Sequence, residues 1–187
     1  MRYPASQTAE RQEMILKEAA RLFRESGFDG AGVAEIMKAA GLTHGAFYAH
    51  FASKGALEAE AVECAFAQSD ERIYALSTNA GDPKQVFLDS YLSAAHRDRP
   101  GSGCVIAALG PEIARESAAR EPFTQRVKQM IDRMARRFRW KRRSAARHNA
   151  IHLVSAAVGA LTLARAVNDP QLSDEILESV RDSLASL

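Results

Sequence analysis

The apolar positions of the chain recur at helical spacing from end to end. Ile15, Leu16, Ala19, Leu22 and Phe23 form one face of an amphipathic helix, with Thr8 as its predicted cap and Gly27 as its stop. Val33, Ile36, Met37 and Ala40 repeat the pattern in a short second helix that ends at Gly41. Thr43 is placed to cap a third short helix carrying Phe47 and Phe51. Ser53 is placed to cap a fourth, through Leu57, Ala61, Cys64 and Ala65 towards Leu76. Beyond Asn79–Pro83 comes a helix with Val86, Phe87, Tyr91 and Ala94, then a loop, Arg97–Gly103. CVIAALG reads as a short apolar segment and Pro111 as the first turn of a separate helix. Pro122 opens a long segment striped by Phe123, Val127, Met130, Ile131, Met134 and Phe138. Two further helices follow, divided at Asn168–Pro170, the last with Leu172, Ile176, Leu177, Val180 and Leu184. No segment alternates with period two, so the fold class is all-α.

Composition narrows the reading. With 187 residues, 47% of them hydrophobic and 26% charged, the chain has the globular balance and can bury a sizeable core. The net charge of +2 does not by itself mark a nucleic-acid protein. Residues 1–54 carry seven Lys and Arg against six Asp and Glu, so polyanion contact there must come from placement. Two cysteines without CxxC spacing argue against a disulfide framework and for a reducing, cytoplasmic setting. No apolar run reaches the length of a membrane span, and MRYPASQTAERQ lacks the apolar core of a signal peptide.

The segment GLTHGAFYAHFASK, Gly41 to Lys54, carries the chemistry. Two short helices joined by a glycine-centred turn and packed on a longer helix form a helix-turn-helix. Leu42 plugs the turn, and Phe47 and Phe51 hold the second helix inward. Thr43, His44, Gly45, Ala46, Tyr48 and His50 remain outward. Gly45 costs about 1 kcal/mol relative to Ala inside a helix. Lys54, in the first turn of the next helix, opposes the helix dipole. Both costs make sense against a phosphate backbone. Periodicity alone also allows a helical hairpin of any all-α protein.

The stretch GVAEIMKAAGLTHGAFYAHFASKGAL, with ILKEAARLFRESGF upstream, resembles the DNA-binding domain of the TetR/AcrR family of bacterial transcriptional repressors. The match runs through Ala39, Ala40, Gly41, Leu42, Thr43, Gly45, Ala46, Phe47, Tyr48, His50, Phe51 and Lys54. The resemblance implies a three-helix helix-turn-helix domain at 1–54 and a larger helical domain for ligand binding and dimerisation at 55–187. It implies that Thr43 binds phosphate or a base edge, and that His44 is the leading base reader. Gly45 and Ala46 would allow close approach, Ala46 touching a thymine methyl. Tyr48 and His50 would bind phosphates, and Lys54 would clamp one. Ala49 lies where many relatives carry a polar or basic side chain. Gly32 stands where Ser or Thr usually caps the second helix, a loss that Arg2 and Arg11 are placed to offset.

The implied protein is no enzyme. It is a homodimer that reads a palindromic operator in double-stranded DNA and answers to a small-molecule effector, without cofactor, metal or membrane. The last two helices are the dimer candidates, because VSAAVGALTLARAV is apolar on more than one face. Phe66, Phe87, Tyr91, Cys104, Met130 and Met134 are the candidates for an effector pocket. Three features stand apart: His148 and His152 at metal-chelating spacing without a third ligand, Cys104 beside a glycine loop, and the basic run Arg133–Arg147.

Overall fold

The computed structural model describes residues 5–77, 81–115 and 118–187; Arg2 lies outside them. Nine α-helices and three 3₁₀ turns make up the described residues, with no strand among them. The helices are α1 (Ala5–Gly30), α2 (Val33–Ala39), α3 (Lys54–Ser77), α4 (Pro83–Tyr91), α5 (Ala94–Arg97), α6 (Val105–Arg115), α7 (Arg120–Arg137), α8 (Ala146–Ala166) and α9 (Pro170–Ala185). The all-α reading of the sequence is therefore correct.

Boundaries moved where a local signal competed with its surroundings. Helix α1 begins at Ala5, so Thr8 lies inside it rather than capping it. Gly27 does break the helix, at φ 77 and ψ 174, but a final turn runs on to Gly30. The helix expected through Ala94 stops at Tyr91, and Ala94 opens a separate turn of helix that takes in the start of the expected loop. The rest of that loop contains a 3₁₀ turn at Pro100–Ser102. CVIAALG and the segment after it form one helix, with Pro111 inside. Proline there forgoes one backbone bond, and the burial of Val105, Leu109 and Ile113 along one face offsets that loss. Asp82 and Asp169 cap α4 and α9 through their carboxylates, each followed by proline at the first helical position.

Two apolar clusters hold these helices. The first joins α1, α2 and the segment after it to α3 and α6, around Phe23, Ile36, Phe47, Leu57 and Leu109. The second joins α4, α7, α8 and α9, around Leu88, Phe138, Trp140, Leu153 and Leu177. Helix α7 bridges them: Ala119 at its start lies in the first cluster, and Met134 and Phe138 at its end lie in the second. Its 18 residues span about 27 Å. The stretch Arg143–Ala166 is long and apolar enough by composition to cross a bilayer. In the fold it packs on α7 and α9, burying Leu153, Val154, Ala157, Leu161 and Ala164 as the core helix of a bundle does.

Polar bonds tie distant segments across these clusters. Arg24 of α1 is buried and donates to Gln68 of α3 at 2.7 Å and to the Gly103 carbonyl before α6 at 3.5 Å. Lys84 of α4 is buried, donates to the Ala185 carbonyl at the end of α9 at 3.0 Å, and lies 5.8 Å from the Trp140 ring centre. A Cβ on Gly27 would meet Glu112 Oε1 at 2.5 Å, in a backbone conformation that L-residues rarely adopt. Gly27→Ala should therefore destabilise the fold by about 1–3 kcal/mol, read as a lower urea midpoint. An unchanged midpoint would show that the kink relaxes freely.

Candidate nucleic-acid interface and effector cavity

Helix α2 ends in a Schellman motif. The Leu42 N–H donates to Met37 O at 2.8 Å and the Gly41 N–H to Lys38 O at 3.0 Å, with Gly41 at φ 71. Leu42 packs against the first cluster beneath this turn. Thr43 is extended (φ −79, ψ 149), and its carbonyl accepts from Ala46 N at 3.0 Å, so its backbone caps the next element. Its hydroxyl makes no capping bond, and the residue is exposed.

The element that follows, His44–Ala49, is a 3₁₀ helix rather than the α-helix expected. The tighter 3₁₀ winding is common in such short pieces. Phe47 and Phe51 are buried and stack with ring centres 5.8 Å apart. The Tyr48 ring stands edge-on to Phe47 at 5.2 Å, yet Tyr48 is 73% exposed. His44, Gly45 and Ala49 are exposed too. A Cβ on Gly45 would meet no protein atom within 4 Å, so nothing inside the fold requires glycine there.

Three predicted contacts sit differently from expectation. Ala46 is half-buried against the first cluster, which withdraws its methyl from the outward face. His50 is half-buried, and its Nδ1 is buried without a hydrogen-bond partner. Lys54 is half-buried, and its ammonium donates to the Phe28 carbonyl at 2.5 Å. That bond, to the frayed end of α1, offsets the unfavourable place of a cation in the first turn of α3. Ser53 Oγ accepts from Ala56 N at 3.1 Å and caps α3 as expected. Gly32 caps α2 with no side-chain bond.

One residue missed in the sequence completes this junction. Glu112 of α6 accepts the Phe28 N–H at 2.6 Å. The Phe28 peptide groups are thus held by two other helices, 26 and 84 residues away in sequence. No local pattern signals either partner.

A cavity of about 400 Å³ lies between α3, α4, α5, α6 and α7. Phe66, Phe87, Tyr91, Cys104 and Met130 line it. Met134 is buried and lines a neighbouring space of about 300 Å³, which Met130 shares. The Tyr91 ring packs on Phe87 and edge-on against His96, with ring centres at 5.1 and 4.7 Å. Burial first, and the Cys104 thiol beside it second, push the Tyr91 phenol well above its ordinary pKa, and its hydroxyl makes no hydrogen bond of good geometry among the described residues. His96 Nε2 accepts the Cys104 N–H at 3.0 Å, so Nδ1 carries the proton and donates to the Tyr91 carbonyl at 2.7 Å. Both cysteines are free and half-buried, and burial raises the Cys64 pKa.

The remaining features find their places. His148 and His152 are exposed on α8, and no group of three metal-ligating side chains exists among the described residues. Eight of the 25 Lys and Arg fall in Arg133–Arg147, with no acidic residue. This run covers the end of α7 and the start of α8, at the second cluster and away from the helix-turn-helix. Arg133 pairs with Asp70 at 2.7 Å and Arg147 with Asp132.

Comparison with known proteins agrees with this geometry. Residues 15–61 match the family model for bacterial regulatory proteins of the tetR family. The HTH-type transcriptional regulator YerO of Bacillus subtilis is 30% identical over 68% of this chain and 45% of its own length. The HTH-type transcriptional repressor DhaR of a Mycobacterium is 29% identical over 58% of this chain and 54% of its own. The chain thus spans about half the length of these curated relatives. A TetR-family transcriptional regulator from Cytophaga hutchinsonii superposes with a TM-score of 0.80 over 99% of this chain and 98% of its own, at 20% identity, and so shares the fold.

The split between frame and face has a simple stability test. Tyr48→Ala should change the urea midpoint by the equivalent of about 0.5 kcal/mol or less, whereas Phe47→Ala should cost about 3–5 kcal/mol. Equal losses would mean that Tyr48 belongs to the core.

Proposed function

This chain belongs to the tetR family of bacterial regulatory proteins, and on that premise we propose that it is a dimeric transcriptional repressor released from a palindromic operator by a small molecule. The division is a DNA-reading head at 1–54 and a sensing and dimerising body at 55–187, acting in the cytoplasm. The observation that carries the reading is the outward face of His44–Ala49. It exposes a large aromatic ring and a glycine that the fold itself does not need. Tyr48 and the Thr43 hydroxyl are placed to bond phosphates, Gly45 lets the backbone approach the groove, and His44 reads a base edge. His50 adds a phosphate contact once its ring turns outward. Lys54 serves the junction with Phe28 first, and any contact with DNA comes second. With little side chain at Gly45, Ala46 and Ala49, sequence-dependent DNA shape supplements His44.

The dimer is supported by apolar side chains left uncovered on the last two helices. Leu163 is 57% exposed, Ile151 43% and Leu172 42%. Pairing α8 and α9 with a second copy across a twofold covers them in a four-helix bundle. Such a dimer sets two recognition elements about 34 Å apart, one turn of DNA.

Coupling runs along α6. Its first turn, Val105 and Ile106, walls the cavity, and Glu112 in its last turns holds the Phe28 N–H. Phe28 in turn receives Lys54 at the start of α3. An effector that displaces the first turn of α6 therefore pulls on the junction that orients the head.

A salt-dependent gel shift on DNA flanking the gene tests the reading; absence of binding there and to a genomic library would sink it. In that assay Tyr48→Ala should weaken binding to every sequence and flatten the salt slope, while His44→Ala should relax base preference. Identical behaviour of the two variants would mean that the roles are wrongly assigned. Glu112→Ala should cost about 1–3 kcal/mol by orphaning the Phe28 N–H, and should change operator affinity with no small molecule present. If affinity stayed at the wild-type value, α6 would not be the route.

A further inference from the structure

We propose that the cavity selects a small amphipathic organic anion: an apolar, aromatic-bearing body with one carboxylate and a hydrogen-bond acceptor along it. This rests on reading the cavity as the effector site and names the chemistry it takes. The walls supply the apolar body's partners, in Phe66, Phe87, Phe138 and Ile106. What distinguishes the site is that its unsatisfied polar groups are donors.

The first is Tyr91. Its hydroxyl is buried at the cavity wall beside the Cys104 thiol, a weak acceptor, and makes no hydrogen bond of good geometry, an arrangement that costs stability until a better acceptor arrives. Its raised pKa keeps the phenol protonated at neutral pH, so it donates. The second is Arg99, which lines the cavity, is exposed at its rim, and has no acid or acceptor for its guanidinium among the described residues. His96 takes no part, because both its ring nitrogens are spent on backbone groups. The one carboxylate in the wall, Asp70, is held by Arg133 at 2.7 Å, with Arg126 at 4.0 Å. Arg137, also in the wall, already has a partner of its own. The uncompensated charge facing a ligand is therefore positive. An ammonium would meet Arg99 and find Asp70 already engaged. A carboxylate would complete Arg99 by a charge-assisted bond, and a carbonyl on the body would complete Tyr91.

The test is calorimetry on the full chain with probes of one body and three charges: hydrocinnamate, hydrocinnamamide and phenylpropylamine. Hydrocinnamate should bind about fivefold more tightly than the amide, and the amine more weakly still. Arg99→Gln should bring hydrocinnamate down to the amide, and Arg99→Lys should keep the preference. Tyr91→Phe should weaken benzoylpropionate, which carries a ketone, more than hydrocinnamate. The proposal is overturned if the amine matches the carboxylate, if no probe binds at millimolar concentration, or if Arg99→Gln keeps the preference. A gel shift run beside it separates the two readings. A bound carboxylate that leaves DNA binding intact removes the release mechanism and leaves the ligand class standing. Release by a neutral or cationic compound, with no carboxylate preference, removes the ligand class alone.

Discussion

The peptide groups of Phe28 are the point on which the arrangement of this protein turns. Gly27 breaks α1 at positive φ, and just beyond the break the Phe28 N–H and carbonyl both meet side chains of other helices. Glu112 takes the first and Lys54 the second. Three helices far apart in sequence thus meet on one residue, by charge-assisted bonds of 2.6 and 2.5 Å. The Phe28 ring is buried beside Phe23 at 5.1 Å, so the residue cannot move without disturbing the first apolar cluster. The helix-turn-helix is consequently tied to the rest of the chain through α6 and α3 together.

Around that joint the structure separates rigid frame from working surface. In the head, Phe47 and Phe51 stack inward while Tyr48, between them in sequence, stands in solvent with only its edge on Phe47. In the cavity, His96 spends its polarity on the backbone, whereas Tyr91 and Arg99 keep theirs unspent. A buried phenol without a good acceptor is a stored cost that a ligand can relieve. An exposed aromatic ring is a similar cost, relieved when it meets a surface.

Charge follows the same economy. Residues 1–54 carry almost no net charge, so bulk charge there draws no polyanion, and the proposed contact depends on backbone approach and a few oriented groups. The densest positive charge lies at the far end of α7, where Arg137 reaches the cavity wall and Arg133 and Arg126 neutralise Asp70. That compensation turns a mixed lining into one that favours an anion.

The sequence by itself determined the helices, because a 3.6-residue apolar period is a local property of the chain. It also determined the turn at Gly41, since the Schellman geometry needs a residue free to take positive φ, and the inward or outward sense of Phe47, Phe51 and Tyr48. Five of the six side chains named from the sequence line one cavity. Only the tertiary structure decided that Pro111 lies within a helix, since burial of its neighbours outweighs one lost bond. It alone drew Ala46 inward, gave Lys54 to Phe28 and placed Glu112 opposite it. It alone left the Tyr91 hydroxyl buried without a hydrogen bond and set Arg99 at the cavity. The physical reason is common to all of these: periodicity states which face a residue is on, but a polar atom's partner comes from another helix, brought near only when the helices pack.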